Sequence, residues 1–177
     1  MLEAFLDGRS PLASERALWG DLELEIEYYA TDECPPEHLV TSVRAVVLAP
    51  SRVLVIREPT GAEHIIPGGR RNAGEPLEDT VRREVLEETC WTVTDLSILA
   101  VLHFHVRGPA PEGYPYPHPD FLQLVYLTSP HELQTARVIE DDWVDACEFV
   151  PIDSVRQRGI PEPQQLLLVN ALRRLRT

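Results

Sequence analysis

Residues Leu22 to Tyr28 alternate apolar and acidic side chains without a break (Leu-Glu-Leu-Glu-Ile-Glu-Tyr), the period of two expected of a strand with one buried face. The segment before it, Ala13–Trp19, is rich in helix formers and reads as a short helix. Pro35-Pro36 closes the alternating run. Two strand-like stretches follow, Leu39–Leu48 and Arg52–Arg57, joined at Pro50-Ser51 by a hairpin-like turn. His64–Ile66 predicts a third short strand leading into Pro67-Gly68-Gly69. Pro76–Thr89 has no internal glycine or proline and is built from helix formers, so a helix with proline in its first turn is expected. Leu96–Val106, Phe121–Thr128 and Trp143–Phe149 read as further strands. Pro109–Pro119 carries five prolines in eleven residues and must be an extended loop. Leu166, Val169, Leu172 and Leu175 recur near helical spacing within Pro163–Leu175, with arginines at the end, where they suit the helix dipole. Strands and helices are interspersed without regular βαβ alternation. An α/β (α+β) fold with a mixed sheet is therefore expected, in preference to a doubly wound one.

Charge narrows the range of partners. The 177 residues carry 16 basic groups, all arginine, against 29 acids, a formal net charge of −13. Such a surface repels nucleic-acid backbone and anionic membrane, so neither is expected as a large partner. A phosphorylated substrate would need a divalent cation between itself and the protein. No apolar run approaches the roughly 18–20 residues of a membrane span. Cys34, Cys90 and Cys147 are widely spaced and form no CxxC pair, which fits reduced thiols in a cytoplasmic protein.

The chemistry concentrates in Gly68–Trp91, GGRRNAGEPLEDTVRREVLEETCW. At about 100° per residue, Glu84 and Glu88 fall within roughly 20° of Leu77, inside the stripe formed with Val81 and Val85. Glu87 lies at the edge of that stripe, roughly 80° away. Ion pairs such as Arg83 with Glu87 account for a solvated outer face but not for two acids on the apolar one. Three acids at i, i+3 and i+4 repel one another and are costly to desolvate, and a bound cation removes both penalties. Oxygen-only ligands favour Mg²⁺ or Mn²⁺ over zinc.

The same segment resembles the Nudix box, G-x5-E-x7-R-E-U-x-E-E-x-G-U, with U a bulky aliphatic residue. Gly69, Glu75, Arg83, Glu84, Val85, Glu87 and Glu88 match at the required spacing. Cys90 stands where the pattern has its second glycine and Trp91 where it has an aliphatic residue. The resemblance implies a Nudix-type α/β/α sandwich over residues 39–177, preceded by an N-terminal extension, residues 1–38, whose strand packs on the domain.

It also implies hydrolysis of a diphosphate linkage in a nucleoside diphosphate joined to another group X, with a nucleotide derivative as the small-molecule partner. Glu84, Glu87, Glu88 and the Gly68 carbonyl are the implied metal ligands, for Mg²⁺ with Mn²⁺ as the other admissible ion. Glu75 and Arg83 are the implied brace between loop and helix, beside Gly69. The general base is expected to be Glu84 or a later acid, of which Glu140 in Glu140-Asp141-Asp142 is the choice; Glu88 completes the catalytic set. Arg57, His103, Tyr116 and Phe121 are the expected substrate contacts. His103 and His105 share a strand face with no third ligand evident nearby. The Pro-rich loop with its aromatic residues shapes either the X-group pocket or a homodimer interface. Two other activities stay open: cleavage of nucleoside triphosphates, including oxidised ones, and nucleotide sensing without turnover.

Overall fold

A computed structural model describes residues 1–136 and 143–176. A short helix, α1 (Leu2–Leu6), precedes a hairpin of β1 (Ala13–Trp19) and β2 (Leu22–Ala30). Then come β3 (Val40–Ala49), β4 (Arg52–Arg57), β5 (Glu63–His64) and α2 (Leu77–Thr89). The long strands β6 (Trp91–Arg107) and β7 (Asp120–Leu133) follow, then β8 (Ala146–Pro151) and α3 (Glu162–Arg174). The strands join in the order β1-β2-β6-β7-β3-β4-β5, with β8 paired to β4. β3 and β7 run parallel and the other pairings are antiparallel, so the sheet is mixed.

Each face of the sheet is covered by one long helix. Leu77, Val81 and Val85 of α2 pack with Val43, Ala45, Val47, Val101, Leu122 and Leu124. Leu167, Leu168 and Ala171 of α3 pack with Val46, Leu102, Phe104, Phe121 and Val125 on the other side. Val81, Val85 and Leu167 are fully buried, each stabilising the sandwich by about 1.5–3 kcal/mol relative to exposure. The α/β fold with a mixed sheet is thus the architecture observed.

Several boundaries differ from expectation. Ala13–Trp19 is a strand, not a helix. Seven residues are too few for a helix to hold in water without packing, and this segment pairs residue for residue with β2 across a two-residue turn whose Gly20 has φ 58°. Backbone pairing outweighs local propensity there. The sixth strand begins at Trp91 instead of Leu96, because a bulge carrying Asp95 at φ 55° interrupts the alternation without ending the strand. Only Glu63–His64 of the third short run forms strand, and Ile65 and Ile66 are buried beyond it. The expected Trp143–Phe149 strand starts at Ala146 and leaves Trp143 exposed.

Candidate functional site

Pro67 to Arg71 runs along β3 as though it were one more strand. Ala45 N–H donates to the Pro67 carbonyl and Val43 N–H to that of Gly69, both at 2.9 Å, while Arg71 N–H donates to Thr41. The seam needs glycine twice. A Cβ on Gly68, at φ 137°, would stand 2.8 Å from the Cα of Arg44. A Cβ on Gly69 would stand 2.7 Å from the Cδ of Glu84 and closer still to its Oε2. The turn therefore lies against the carboxylates of the helix that follows.

That helix presents its acids in graded environments. Glu84 and Glu88 are buried, at 8% and 5% exposure, and Glu87 is half-buried. Gly68 N–H donates to Glu88 Oε2 at 2.7 Å. Arg83 donates from Nη1 to Glu84 (2.8 Å) and to Glu87 (3.0 Å). Its other nitrogens hold Glu75 through two bonds of 2.8 Å and the Arg70 carbonyl at 3.0 Å. Glu75 also accepts from Asn72 N–H and the Thr80 hydroxyl, so one ion pair ties the loop to the helix. This pairing with Arg83 holds the Glu75 carboxyl down at about 2. Burial pushes Glu84 above the usual carboxylate range, with the neighbouring charge of Glu87 adding to it against the opposing pull of Arg83 and Arg44.

The donor set fits a hard divalent cation. Two buried carboxylates and a half-buried third line the helix beside a turn that admits no side chain, and every candidate ligand atom is oxygen. Arg44, on β3, donates to the Gly68 carbonyl. Its position in the apolar run Val43–Leu48 gave no sign of that role, which depends on the turn folding back on the strand.

Cys90 occupies the place of the second glycine by adopting the left-handed conformation itself, with φ 59° and its N–H bonded to Leu86. The helix ends where a glycine would end it, at the steric cost of a Cβ in that region.

The expected substrate contacts scatter. Tyr116 lines a cavity of about 380 Å³ together with Val40, Thr41, Arg70, Asn72 and Pro115. The Arg70 guanidinium lies 5.3 Å from the centre of its ring. Arg70 is absent from the expected contacts; its sequence signal is its place directly after Gly68-Gly69. Phe121 has no exposed surface and stacks on Phe104 at 4.8 Å and on Tyr116 at 5.3 Å, so it offers no ring face to a ligand and instead backs Tyr116. Arg57 is an exposed strand end pairing with Asp145 at 3.4 Å. His103 lies among His105, Asp120 and Glu27 and lines a different cavity from Tyr116. Asp120 is the third neighbour the sequence did not reveal. Glu140 and its neighbours lie outside the described residues.

A mixed sheet between two helices, with a glycine turn on β3 and buried acids beneath it, defines an α/β/α protein. The NUDIX domain family model matches residues 38–169. The chain belongs to that family, whose members are hydrolases of pyrophosphate bonds that generally use divalent metals. Among solved structures it is similar to a mutant form of the Bacillus subtilis pyrophosphohydrolase BsRppH, with TM-score 0.62, 15% identity, and 93% of this chain and 96% of that one covered. A NUDIX hydrolase from Nitrosomonas europaea aligns with TM-score 0.59 and 18% identity over 76% and 89% of the two chains. The NUDIX domain of Shewanella oneidensis NrtR, complexed with ADP ribose, gives TM-score 0.58 and 20% identity over 81% and 94%. No curated protein matches. No helix among the described residues is long and apolar enough to cross a membrane.

Proposed function

We propose that the protein is a Mg²⁺-dependent hydrolase of a diphosphate linkage in a nucleoside diphosphate derivative. The observation that carries this reading is the convergence of Glu84 and Glu88, both buried, on the Gly68-Gly69 turn. Glu84, Glu87, Glu88 and the Gly68 carbonyl would hold the cation. When bound, Mg²⁺ neutralises phosphate oxygens and lowers the pKa of a coordinated water. The chain's own contributions are positional. Arg83 and Glu75 fix the turn against the helix, and Glu88 anchors the turn through Gly68 N–H. Glu84, buried against the glycine turn, is the proposed acceptor of the water's proton.

The cavity beside Arg70 and Tyr116 is proposed to seat part of the nucleotide, since an aromatic face suits a base or sugar and a guanidinium suits a phosphate. Arg57 is kept as an outlying phosphate contact. The ADP-ribose complex of one structural neighbour supports this substrate class. Residues 1–38 are proposed as an extension to a domain of residues 39–177.

The test is a panel of nucleoside diphosphate derivatives, including ADP-ribose, and nucleoside triphosphates with Mg²⁺, read by released phosphate or monophosphate. Faster turnover of triphosphates than of any diphosphate derivative would replace the proposed substrate class. Nucleotide binding without turnover of any compound would replace hydrolysis with sensing.

A further inference from the structure

We propose that His103, His105 and Asp120 form a second cation site, suited to a borderline first-row transition ion such as Zn²⁺ and separate from the carboxylate site beside α2. Among the described residues, this is the only group of three or more His, Cys, Asp or Glu side chains whose ligand atoms all lie within 4.8 Å of one another. The sheet register builds it. His103 and His105 are two apart on β6 and so share a face. Asp120 on β7 lies directly across from His105, and Glu27 on β2 directly across from His103. Cross-strand neighbours of this kind stand about 4.5–5.5 Å apart at Cβ, within reach of one ion.

The contacts leave one group ill at ease. His103 Nε2 and His105 Nδ1 both lie 2.8 Å from the same oxygen, Asp120 Oδ1. His103 Nδ1 is buried and has no hydrogen-bond partner, with Glu27 Oε2 3.6 Å away. If Nε2 carries the proton toward Asp120, the bare lone pair of Nδ1 faces a carboxylate, acceptor against acceptor. A cation bound at His103 Nε2 reverses that arrangement. The ring proton then sits on Nδ1 and is donated to Glu27, the carboxylate–histidine–metal relay that fixes a ligand's tautomer and orientation. Glu27 is already positioned for this role, since the Tyr29 hydroxyl donates to its Oε2 at 2.7 Å. Glu25, the next acid of β2 on this face, is engaged by Arg16 and Arg107 and is not needed.

Two imidazoles and one carboxylate suit Zn²⁺ and its first-row neighbours, whereas Mg²⁺ prefers oxygen alone. Tetrahedral bonds of about 2.0–2.1 Å place ligand atoms roughly 3.3 Å apart, so the two contacts to Asp120, now 2.8 Å, have to open by about half an ångström. His103, His105 and Glu27 line a cavity of about 540 Å³ with other residues of β1 and β2, which leaves room for water beside an ion. With ligands on β6 and β7 and the supporting carboxylate on β2, the ion would also clip the N-terminal hairpin to the rest of the sheet.

The test uses the full chain, stripped with a chelator and titrated with Co²⁺ and then Zn²⁺ in excess Mg²⁺. One equivalent of Co²⁺ is expected to give visible d–d bands without thiolate charge transfer, and Zn²⁺ is expected to displace it. His105→Ala and Asp120→Asn should weaken this binding by at least ~100-fold and Glu27→Gln by about 10-fold. The triple variant Glu84→Gln, Glu87→Gln, Glu88→Gln should retain it. Zinc-induced shifts of the His103 and His105 ring nitrogens in the unmutated chain should mark the same residues, which keeps the test decisive should a variant fail to fold. No bound equivalent, unchanged ring nitrogens, a thiolate band, or loss of binding in the triple variant alone would overturn the proposal.

Discussion

The face of α2 and the shared face of β2, β6 and β7 both gather acids on partly buried surface, yet they balance the charge in different ways. On α2, a single guanidinium serves three carboxylates: Arg83 holds Glu75, Glu84 and Glu87, and Glu88 takes a backbone N–H. All the candidate ligand atoms there are oxygens. On the strand face, Asp120 is held by two imidazoles and Glu27 by a phenol hydroxyl, so nitrogen enters the donor set. Burial by itself does not choose an ion. The balancing groups do: an arginine leaves hard oxygens to be shared, while histidines become ligands themselves.

The largest expected effects test the oxygen-only assignment. Glu87→Gln and Glu88→Gln keep side-chain size, and at position 88 the amide oxygen can still accept from Gly68 N–H. Each should lower Mg²⁺-dependent turnover by at least ~100-fold, with a circular dichroism spectrum like that of the unmutated chain. Near-normal rates in both variants would remove the metal role from this helix. Neither change should alter Co²⁺ binding at the strand cluster.

The two glycines separate the chemistry of the turn from its stability. Gly69→Ala drives a methyl into the Glu84 carboxylate, a side chain that can swing aside. Turnover should fall by roughly 10–100-fold, as when a ligand's support is lost, with little change in melting temperature. Gly68→Ala meets the backbone of Val43 and Arg44 at φ 137°. That variant should lose about 1–3 kcal/mol of stability, seen as a melting point lower by several degrees. If Gly69→Ala left turnover intact while lowering the melting temperature, Glu84 would be a packing residue and not a ligand.

A smaller effect belongs to Glu75. Its folded-state carboxyl sits at about 2, below the ordinary 4.5, because Arg83 holds it, with Asn72 and Thr80 adding hydrogen bonds. A depressed carboxyl contributes stability that is fully present above its unfolded value and is lost as pH falls from about 4.5 toward 2. Glu75→Gln should therefore lower the melting temperature near pH 7 and flatten its decline across that acid window. An unchanged slope would show that the Arg83 pair does not set it.

Why one region could be read from sequence and the other could not follows from how each is assembled. The α2 acids, their arginine and the glycine turn lie within Gly68–Trp91, so helical geometry at about 100° per residue sufficed to place Glu84 and Glu88 on the buried face. Cys90 was the ambiguous position there, and the backbone resolved it by taking the left-handed turn. The strand cluster draws on residues 27, 103, 105 and 120, and Asp120 becomes a neighbour of His105 only through a register that spacing does not reveal. The β1 hairpin failed for a similar reason, since Ala13–Trp19 carries helix formers and is held as strand by what lies across from it. Arg44 and Arg70 acquire their positions only when the turn folds back along β3.

The smallest expected effect is also the one that most sharpens the comparison. If the two regions are independent, removing a strand-face ligand should leave the α2 site alone. His105→Ala and Asp120→Asn should each keep Mg²⁺-dependent turnover within about twofold of the unmutated chain, since separate sites without shared partners behave additively. The stability readout should still move. Zinc should raise the melting temperature of the unmutated protein, because an ion that binds only the folded chain stabilises it by mass action, and it should not do so for either variant. Loss of turnover in His105→Ala, with no zinc-induced rise in the melting point of the unmutated protein, would instead assign the histidine pair to the substrate site. The sheet would then have brought together two halves of one active site, and not two sites of different chemistry.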